Sequence, residues 1–464
     1  MPAKNLKDIW SVGFVIEKYR SRYKDKYLNY KTLIHNLIKS EINILRNNLL
    51  SDETSFIPDI DIFIDEINSK INYFLVGKIK KIINATGIII STNFGRSPIL
   101  DTVLEEALEL NKGYFNLEYD IEKSVRNSRQ EHLEYLLTKL TGSESAFVVN
   151  NASSAIFLIC NTFAKNKKVI VSRGELIEIG DSFRLSEIIE ASQSIIKEVG
   201  TTNKTYIKDY EKAIDNDTAI LLKSHTSNYK IIGFTESVNS RDIAHLAKKN
   251  NLISFEDIGS GLLFNLDIDH LKNEPTAKDK INDGIDLVCF SGDKLLGSSQ
   301  AGIILGKKAL ISQIKINPIA RTMRIDKLCL SVLESSLRIY FMENEFIKEN
   351  IPILKMITLS YQDIFKRTEN LHNNLLNVLP DLDILIVDSF SQVGGGSLPE
   401  ENILTPVLSI KPLNFSINKL DKKLKKLVPS IIGTIEKDRF IINLRAVFNN
   451  EDELILNNLI NTLS

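Results

Sequence analysis

Short apolar runs alternate with amphipathic stretches through the middle of the chain. Repeated strand–loop–helix units of this kind predict a mostly parallel sheet with helices on both faces, an α/β fold. In such sheets ligands bind at the carboxyl ends of the strands. The apolar runs are SAFVVN (145–150), KKVIVS (167–172), TAILLK (218–223), LISFED (252–257), DLVCFS (286–291) and GIILG (302–306).

The first part of the chain has a different, helical pattern. Apolar residues recur at three- and four-residue spacing from about 4 to 50, which predicts two or three short amphipathic helices. A loop is expected over 51–61 and a further helix over 62–75. We therefore predict an N-terminal helical domain over residues 1–75.

The pattern changes again after about residue 326. The stretch 326–346 contains no glycine or proline and predicts one long helix. We predict a large α/β domain over 76–325 and a small α+β domain over 326–464. The other elements expected in the small domain are helices near 359–378 and 416–427, strands near 383–387 and 404–411, a glycine-rich turn at 392–397 and a strand pair near 432–445.

Composition is that of an ordinary globular protein. Of 464 residues, 43% are hydrophobic and 25% are charged, and no apolar run is long enough for a transmembrane helix. The start, MPAKNLKDIW, lacks the apolar run of a secretory signal. Cys160, Cys289 and Cys329 are far apart, and no HxxxH or HExxH spacing occurs, so neither a disulfide framework nor a metal site is expected. We expect a cytoplasmic protein with no membrane partner.

The formal net charge of −1 gives no overall indication of nucleic-acid binding, but the charge is unevenly distributed. Residues 1–50 contain ten Lys or Arg and four Asp or Glu, whereas 51–75 contain one and six. The basic segment can contact RNA, or it can be the solvated face of surface helices. Charge alone favours the second interpretation.

A turn of small residues follows the first predicted strand. It consists of Asn151, Ala152, Ser153 and Ser154, and a helix begins there. Small residues let backbone N–H groups approach a phosphate, and the start of a helix adds the positive end of its dipole. Asn and Ser are also ordinary helix caps, so this turn alone does not identify a phosphate site.

Charged side chains follow two later strands. SFEDIGSG places Glu256 and Asp257 at a strand end, where a carboxylate can pair with the ring nitrogen of a cofactor. FSGDKLLGSSQAG places Lys294 in a glycine-rich loop between two strands, beside Ser291 and Asp293. A lysine in a loop is usually exposed and inert, but a buried lysine becomes nucleophilic toward an aldehyde.

His225 and Asn228 follow another strand. His225 can stack on an aromatic ring, and Asn228 can bond a phenolic oxygen. Each of these features is weak on its own. Together the small-residue turn, Asn228, Asp257 and the Ser291-x-x-Lys294 loop predict a pyridoxal-phosphate site, in which Asp257 keeps the ring nitrogen protonated and the ring accepts the electrons of a carbanion.

Several long motifs occur in a fixed order between about 80 and 447. They resemble the bacterial selenocysteine synthases, the L-seryl-tRNA(Sec) selenium transferases; before residue 80 the chain matches only in position and helical character. The motifs are INATGIIISTNFGRSPIL (82–99), NLEYDIEKSVRNSRQEHLEYLLTKLTG (116–142), VSRGELIEIGDSFRL (171–185), VGTTNKTYIKDY (199–210), LLKSHTSNYKIIGFTE (221–236), FSGDKLLGSSQAGIILGKK (290–308), NPIARTMRIDK (317–327), QVGGGSLPE (392–400) and IEKDRFIINLRAV (435–447).

The resemblance implies a pyridoxal-phosphate-dependent transferase of fold type I, with an aspartate aminotransferase-like large domain. It implies that the amine of seryl-tRNA(Sec) replaces Lys294 in the cofactor aldimine. Loss of the α-proton and the serine hydroxyl then gives dehydroalanyl-tRNA, which takes selenium from selenophosphate to form selenocysteinyl-tRNA(Sec). The resemblance also implies tRNA binding by the N-terminal domain and a homo-oligomer, a pentamer of dimers. Asp293 is expected either to help proton transfer or to be structural, and no residue is assigned to remove the α-proton.

Arginines are the expected ligands of selenophosphate, because a seryl ester has no free carboxylate for them to bind. Arg96, Arg129, Arg321 and Arg324 are expected at this anion, since a guanidinium group suits phosphate-like oxygens. Arg126 is expected to pair with a carboxylate, because Asn127 stands where the family usually has Gly. The other departures are Ser91 in place of His, Ser153 and Ser154 in place of alanines, and Thr434 where Arg is frequent.

Two other functions agree with parts of the pattern. One is an enzyme of the same fold that acts on a small molecule, such as a β-eliminating lyase for amino acids or amino-sugar acids. The helical segment 1–75 argues against it, because the smaller relatives lack such a domain. The other is a non-catalytic tRNA-binding or assembly protein, against which Lys294 and Asp257 argue. DNA is not an expected partner.

Overall fold

The computed structural model describes residues 8–51, 56–75, 78–179, 183–395 and 397–464. The chain divides into two compact units, Met1–Lys81 and Ile82–Ser464. In none of the described ranges does a helix have the length and apolar character needed to cross a membrane.

The first unit is a helical domain with a core of its own. Its helices are Val12–Arg22 (α1), Lys24–Leu50 (α2) and Ile60–Leu75 (α3). The prediction of two or three helices agrees with α1 and the two parts of α2, which meet at a kink at Tyr30, but the part of α2 after Tyr30 is longer than predicted. Of the apolar residues predicted to face the core, Val15 and Tyr19 are buried, whereas Ile44 is exposed. The buried residues of α2 and α3 are Tyr27, Ile34, Ile38, Ile42, Phe63, Ile64, Ile67 and Ile71.

The second unit contains a seven-stranded sheet, a four-stranded sheet and three two-stranded sheets. Its strands are Ile82–Asn84 (β1), Tyr119–Asp120 (β2), Val125–Arg126 (β3), Ser145–Val149 (β4), Lys168–Ser172 (β5), Glu178–Ile179 (β6), Phe183–Arg184 (β7), Ile195–Val199 (β8), Thr218–Ser224 (β9), Ile253–Gly259 (β10), Leu287–Ser291 (β11), Gly302–Gly306 (β12), Asp383–Gly394 (β13), Ser397–Lys411 (β14), Ser430–Ile432 (β15), Thr434–Glu436 (β16) and Arg439–Asn443 (β17).

Helices cover both sheets. They are Asp101–Asn111 (α4), Glu131–Thr141 (α5), Ala152–Phe163 (α6), Leu185–Ala191 (α7), Ile207–Ala213 (α8), Ser240–Lys249 (α9), Ala277–Asn282 (α10), Lys308–Ile316 (α11), Pro318–Thr322 (α12), Lys327–Ile339 (α13), Asn344–Asn350 (α14), Pro352–Thr358 (α15), Tyr361–Val378 (α16), Ile417–Lys425 (α17) and Asp452–Leu463 (α18).

The central sheet has the strand order β4-β12-β11-β10-β9-β5-β8. Its pairs are parallel except the two made by β12, which confirms the predicted mostly parallel sheet. All six strands predicted from apolar runs are present. The sequence did not predict the edge strand β8, because most of its side chains are exposed or half-buried and no apolar run marks it.

Residues along the central strands point alternately into two cores. Val148 and Ile170 pack on one face, whereas Val149 and Val171 pack on the other. A sheet buried on both faces has continuous apolar strands, as seen in the sequence. The carboxyl ends of β4, β5, β9, β10 and β11 then lie at one edge of the sheet, which is where the predicted site residues are found.

The C-terminal part forms the four-stranded antiparallel sheet β13-β14-β17-β16. Its core combines apolar residues of this sheet with residues of α16, α17 and α18, and with Ile83 of β1, which pairs with β15. The predicted strands and both helices of this part are present. The glycine-rich turn predicted at 392–397 includes Gly396, which lies outside the described residues, and β13 extends to Gly394. The domain boundaries at 75/76 and 325/326 stay predictions.

The single long helix predicted over 326–346 is wrong. Helix α13 ends at Ile339, and α14 begins at Asn344 after a turn. Tyr340 is buried and its hydroxyl donates a hydrogen bond to the Leu296 carbonyl at 3.0 Å, while Glu343 has an extended backbone that starts the next helix. Tertiary contacts thus override a sequence with uniform helical propensity.

Candidate active site

Lys294 lies in the loop between β11 and β12 and is 3% exposed. The loop is held on both sides of the lysine: Ser97 N donates to Asp293 O at 3.3 Å, and Leu295 N donates to Ser260 O at 2.9 Å. Burial lowers the pKa of the Lys294 amine, opposed by Asp257 and assisted by Arg96. A larger fraction of this amine is therefore unprotonated, and hence nucleophilic, than of an exposed lysine.

The Lys294 amine faces a cavity of about 210 Å³ at the carboxyl ends of the strands. Six of the predicted site residues line it besides Lys294, so the structure brings them together as the parallel sheet predicted. These are Asn151, Ala152, Ser153, Asp257, Ser291 and Asp293. Arg96, predicted at the anion, lines the same cavity.

Asp257 is the carboxylate that faces the cavity, and Glu256 points away from it. Asp257 Oδ1 accepts a hydrogen bond from Gly259 N at 3.1 Å, and Glu256 Oε1 lies 3.2 Å from Lys280 Nζ. Burial raises the pKa of Asp257, whereas the Lys294 cation lowers it. A cationic group placed beside Asp257 would favour its ionised form.

The small-residue turn is the start of α6. Asn151 is the N-cap, and its side chain accepts a hydrogen bond from Ser154 N at 2.8 Å. Ala152 and Ser153 line the cavity, whereas Ser154 does not. β12 approaches the turn so closely that a Cβ on Gly302 would lie 2.0 Å from Asn151 O. The turn presents a helix start to the cavity, an arrangement that favours an anion.

His225 and Asn228 follow β9 and lie at the border of the site. His225 N donates to Asp257 O at 2.8 Å, and its Nε2 lies 3.5 Å from Glu274 Oε2. Asn228 Nδ2 donates to Glu178 O at 2.6 Å, and Asn228 Oδ1 is buried without a hydrogen-bond partner. Neither residue lines the Lys294 cavity; His225 lines a neighbouring cavity of about 240 Å³. Their roles toward a cofactor stay predictions.

Buried polar atoms without partners are concentrated next to the Lys294 loop. Buried side-chain polar groups are normally hydrogen-bonded, so a concentration of unpartnered ones indicates a place for a ligand. Six of the eight such atoms in the described part of the chain lie near the ends of β9 and β10 or in the loop before α10. They are Ser224 Oγ, His225 Nε2, Ser227 Oγ, Asn228 Oδ1, Ser260 Oγ and Glu274 Oε1.

Arg96 and Asp293 form an ion pair in the cavity. One guanidinium nitrogen of Arg96 lies 3.0 Å from each carboxylate oxygen of Asp293. Arg96 is in the left-handed region, with a φ of 63°, and follows Gly95, whose φ is 86°. The pair places a cation and an anion next to Lys294, and the proton-transfer role of Asp293 stays a prediction.

Arg129, Arg321 and Arg324 lie elsewhere, around an open cavity of about 600 Å³. Glu118 is the common partner: Arg129 Nε is 2.9 Å and Arg324 Nη1 3.5 Å from its Oε1. Arg126 Nη2 is 3.1 Å from Oε2, which confirms the expected pairing with a carboxylate. The hydrogen bond from Arg129 is the largest cause that lowers the pKa of Glu118. Within one chain these arginines do not join Arg96.

Sequence reasoning missed Glu118 and Glu274. Glu118 lies within the motif at 116–142, but nothing in the sequence distinguishes it from the other acidic residues as a partner of several arginines. Glu274 follows a short turn, Asp269–Leu271, rather than a strand, so the rule that led to Asp257 could not find it. Glu118 meets Arg324 and Glu274 meets His225 only because the fold brings these distant positions together.

The family model of the L-seryl-tRNA selenium transferases (SelA) matches residues 82–448. The chain is 41% identical over 423 residues to the L-seryl-tRNA(Sec) selenium transferase of Alkaliphilus oremlandii, covering 90% of each chain. It is also 41% identical over 460 residues to that of Aquifex aeolicus, covering 99% of each chain. These matches confirm the family resemblance.

A solved structure of D-glucosaminate-6-phosphate ammonia-lyase is similar in fold. It has a TM-score of 0.59 and 19% sequence identity, and the match covers 85% of this chain and 98% of that chain. At this identity the likeness extends to the fold alone.

Proposed function

Because the chain belongs to the L-seryl-tRNA selenium transferase family, we propose that it converts seryl-tRNA(Sec) to selenocysteinyl-tRNA(Sec), with pyridoxal 5′-phosphate as its cofactor. The observation that carries the proposal is the buried Lys294, whose amine has a lowered pKa and faces Asp257 across a cavity at the strand ends. The family matches supply the substrate, which the cavity alone would not identify.

The residues around the cavity fit this cofactor. The helix start at Asn151–Ser154 suits its phosphate, Asp257 suits its ring nitrogen, and Lys294 suits its aldehyde. His225 and Asn228 are proposed at the ring face and the ring oxygen. When bound, the cofactor supplies an aldehyde for an amine and a ring that accepts electrons from the adjacent carbon. The unpartnered polar atoms near β9 and β10 support this assignment.

The protein's own groups then have separate tasks. Lys294 would hold the aldehyde of the cofactor, and because burial lowers the pKa of its amine, the free amine could accept a proton. Asp257 holds a proton at the ring nitrogen. We propose that Arg96 helps to bind selenophosphate and that Asp293 either helps proton transfer or orients Arg96.

Gly302→Ala is expected to weaken cofactor binding, because its Cβ would lie 2.0 Å from Asn151 O and displace the small-residue turn proposed to bind the cofactor phosphate. We expect the Kd of pyridoxal phosphate to rise about tenfold, measured by titrating the apoprotein and following the absorption of the bound cofactor. Gly113→Ala is the matched control, since a Cβ at Gly113 meets no atom within 4 Å. Equal Kd values for the two variants would contradict this account of the turn.

Arg129, Arg321 and Arg324 are proposed as further selenophosphate ligands, together with Arg96. Since they do not line the Lys294 cavity of the same chain, we propose that they act in the site of another copy. The family resemblance implies such an assembly, a pentamer of dimers. Arg126, Arg129 and Arg324 share one carboxylate, Glu118, and this excess of positive charge supports anion binding at this place.

Arg321→Ala is expected to raise the KM for selenophosphate about tenfold, because one charge-assisted contact to the anion is lost. The Kd for seryl-tRNA(Sec) should change less than about twofold. Arg126→Ala is the matched control, because Arg126 lines the same cavity and pairs with Glu118. A parallel loss of selenophosphate and tRNA affinity in Arg321→Ala would place Arg321 outside the anion site.

The direct test supplies purified protein with seryl-tRNA(Sec) and selenophosphate and measures selenocysteinyl-tRNA(Sec). Free serine in place of the charged tRNA is the control for a small-molecule enzyme. Turnover of free serine without turnover of the tRNA would contradict the proposal. We place the reaction in the cytoplasm, because charged tRNAs are used there for translation.

A further inference from the structure

Glu274 is a buried carboxylate that has no task in the proposed function. It is 6% exposed and lies in the loop before α10. Its Oε2 is 3.5 Å from Nε2 of His225, and its Oε1 is buried without a hydrogen-bond partner. We propose that Glu274 is a positioning residue that holds the imidazole of His225, by its Nε2 nitrogen, in the orientation that stacks on the cofactor ring.

Backbone hydrogen bonds place the two side chains opposite each other. Ala277 N, at the start of α10, donates to Leu262 O at 2.9 Å, which attaches the Glu274 loop to the segment after β10. His225 N donates to Asp257 O at 2.8 Å, which attaches His225 to the end of the same strand. Glu274 and His225 are therefore fixed to one strand end, and their contact needs no movement of the backbone.

The charge of Glu274 requires a partner. A buried carboxylate without a cation or a donor is strongly destabilising, and the described groups that can supply one are the imidazole of His225, 3.5 Å away, and Lys294, whose pKa Glu274 acts to raise. No hydrogen bond joins the two side chains at 3.5 Å, and because a carboxylate only accepts hydrogen bonds, closer contact with Glu274 needs the hydrogen of the imidazole on Nε2. Glu274 thus restricts both the rotation of the imidazole and the position of its proton. Carboxylates restrain histidine ligands of metals in the same way.

The inference rests on the proposed function, because His225 needs the cofactor ring as its stacking partner. An imidazole that is already held in place loses less conformational entropy when the ring arrives, so Glu274 contributes to cofactor affinity without touching the cofactor. Its removal should therefore change how the cofactor binds, and the effect should depend on His225.

The test uses Glu274→Met in the full-length protein, which keeps a similar volume without an acceptor. We expect the Kd of pyridoxal phosphate to rise about tenfold, the size of a typical coupling between residues in contact. The visible circular dichroism of the bound cofactor should also decrease. Glu274→Gln should stay within about twofold of the wild-type Kd, because its amide oxygen can also accept a hydrogen bond from Nε2.

The decisive comparison is a double-mutant cycle with His225→Ala. In that background Glu274→Met should cause no further change in Kd, because the group that it positions is gone. An equal loss in both backgrounds would overturn the inference, and so would an unchanged Kd in Glu274→Met alone. If Glu274→Met does not fold, the same cycle is run with Glu274→Gln and Glu274→Ala. A Glu274→Gln variant that binds pyridoxal phosphate as weakly as Glu274→Ala would then overturn the inference.

A second histidine–glutamate pair supplies the control. His270 Nδ1 lies 2.7 Å from Glu401 Oε1, and neither residue lines the Lys294 cavity. Glu401→Met is expected to leave the cofactor Kd unchanged. Wild-type protein that does not bind pyridoxal phosphate would contradict the proposed function itself, whereas cofactor binding that is insensitive to Glu274 would contradict only the present inference.

Discussion

Lys294→Ala is expected to give a colourless protein that no longer forms selenocysteinyl-tRNA(Sec). Of the described residues that line the cavity, Lys294 is the one lysine, and its burial lowers the pKa of the amine that would join the cofactor's aldehyde. We expect the rate to fall by at least about 10³-fold, as when an enzyme loses its nucleophile. The measurements are the visible absorption after dialysis and the rate of product formation.

A half-buried lysine in β9, two strands away from β11 in the central sheet, is the matched control. Lys223, in β9, is ion-paired with Glu175 at 2.8 Å. Burial lowers the pKa of Lys223, but Glu175 and Glu256 together raise it by more. The pKa therefore lies above the ordinary value of a lysine, and the amine stays protonated. Lys223→Ala should therefore remain yellow. A yellow Lys294→Ala after dialysis would remove Lys294 from its proposed role.

The part of the site formed by strand ends could be predicted from the sequence. Asn151, Asp257 and Ser291 each follow an apolar run, and a parallel sheet brings the carboxyl ends of such runs to one edge. The structure places all three around one cavity with Lys294. The inference needed only the order of strands and loops, and not the exact register between them.

Other features depend on contacts that no local pattern records. The break between α13 and α14 follows from the burial of Tyr340 against the loop of Leu296. β1 finds its partner, β15, far along the chain, and Glu274 reaches His225 from a loop. In each case the local sequence is compatible with several backbone conformations, and tertiary packing selects one of them.

Residue type alone did not predict where the four arginines lie. Arg96, Arg129, Arg321 and Arg324 were expected at one anion because they share the same chemistry. Within one chain they lie around two cavities, and Arg96, Arg129 and Arg324 each have a carboxylate partner. Residue type predicts affinity for an anion, whereas the place of binding depends on the fold and on the assembly.

Deletion of residues 1–75 is expected to abolish tRNA binding and to leave the cofactor in place. The first unit has its own helical core, and Lys31, Lys39 and Arg46 are exposed on α2. Their spacings of eight and seven residues put them on one side of the helix. No ion pair is described for these three residues, so their charges are available to phosphates. We expect the Kd for seryl-tRNA(Sec) to rise at least about 100-fold at low salt.

A full-length variant separates loss of charge from loss of the unit. Combined Lys31→Gln, Lys39→Gln and Arg46→Gln substitutions keep the core of α2 and should weaken tRNA binding while also reducing its dependence on salt, because fewer counterions are released on binding. Filter binding at several salt concentrations gives both quantities, and absorption gives the cofactor content. If the truncated protein binds seryl-tRNA(Sec) as tightly as the full chain, the basic face of α2 is only a solvated surface, the alternative that charge alone favours.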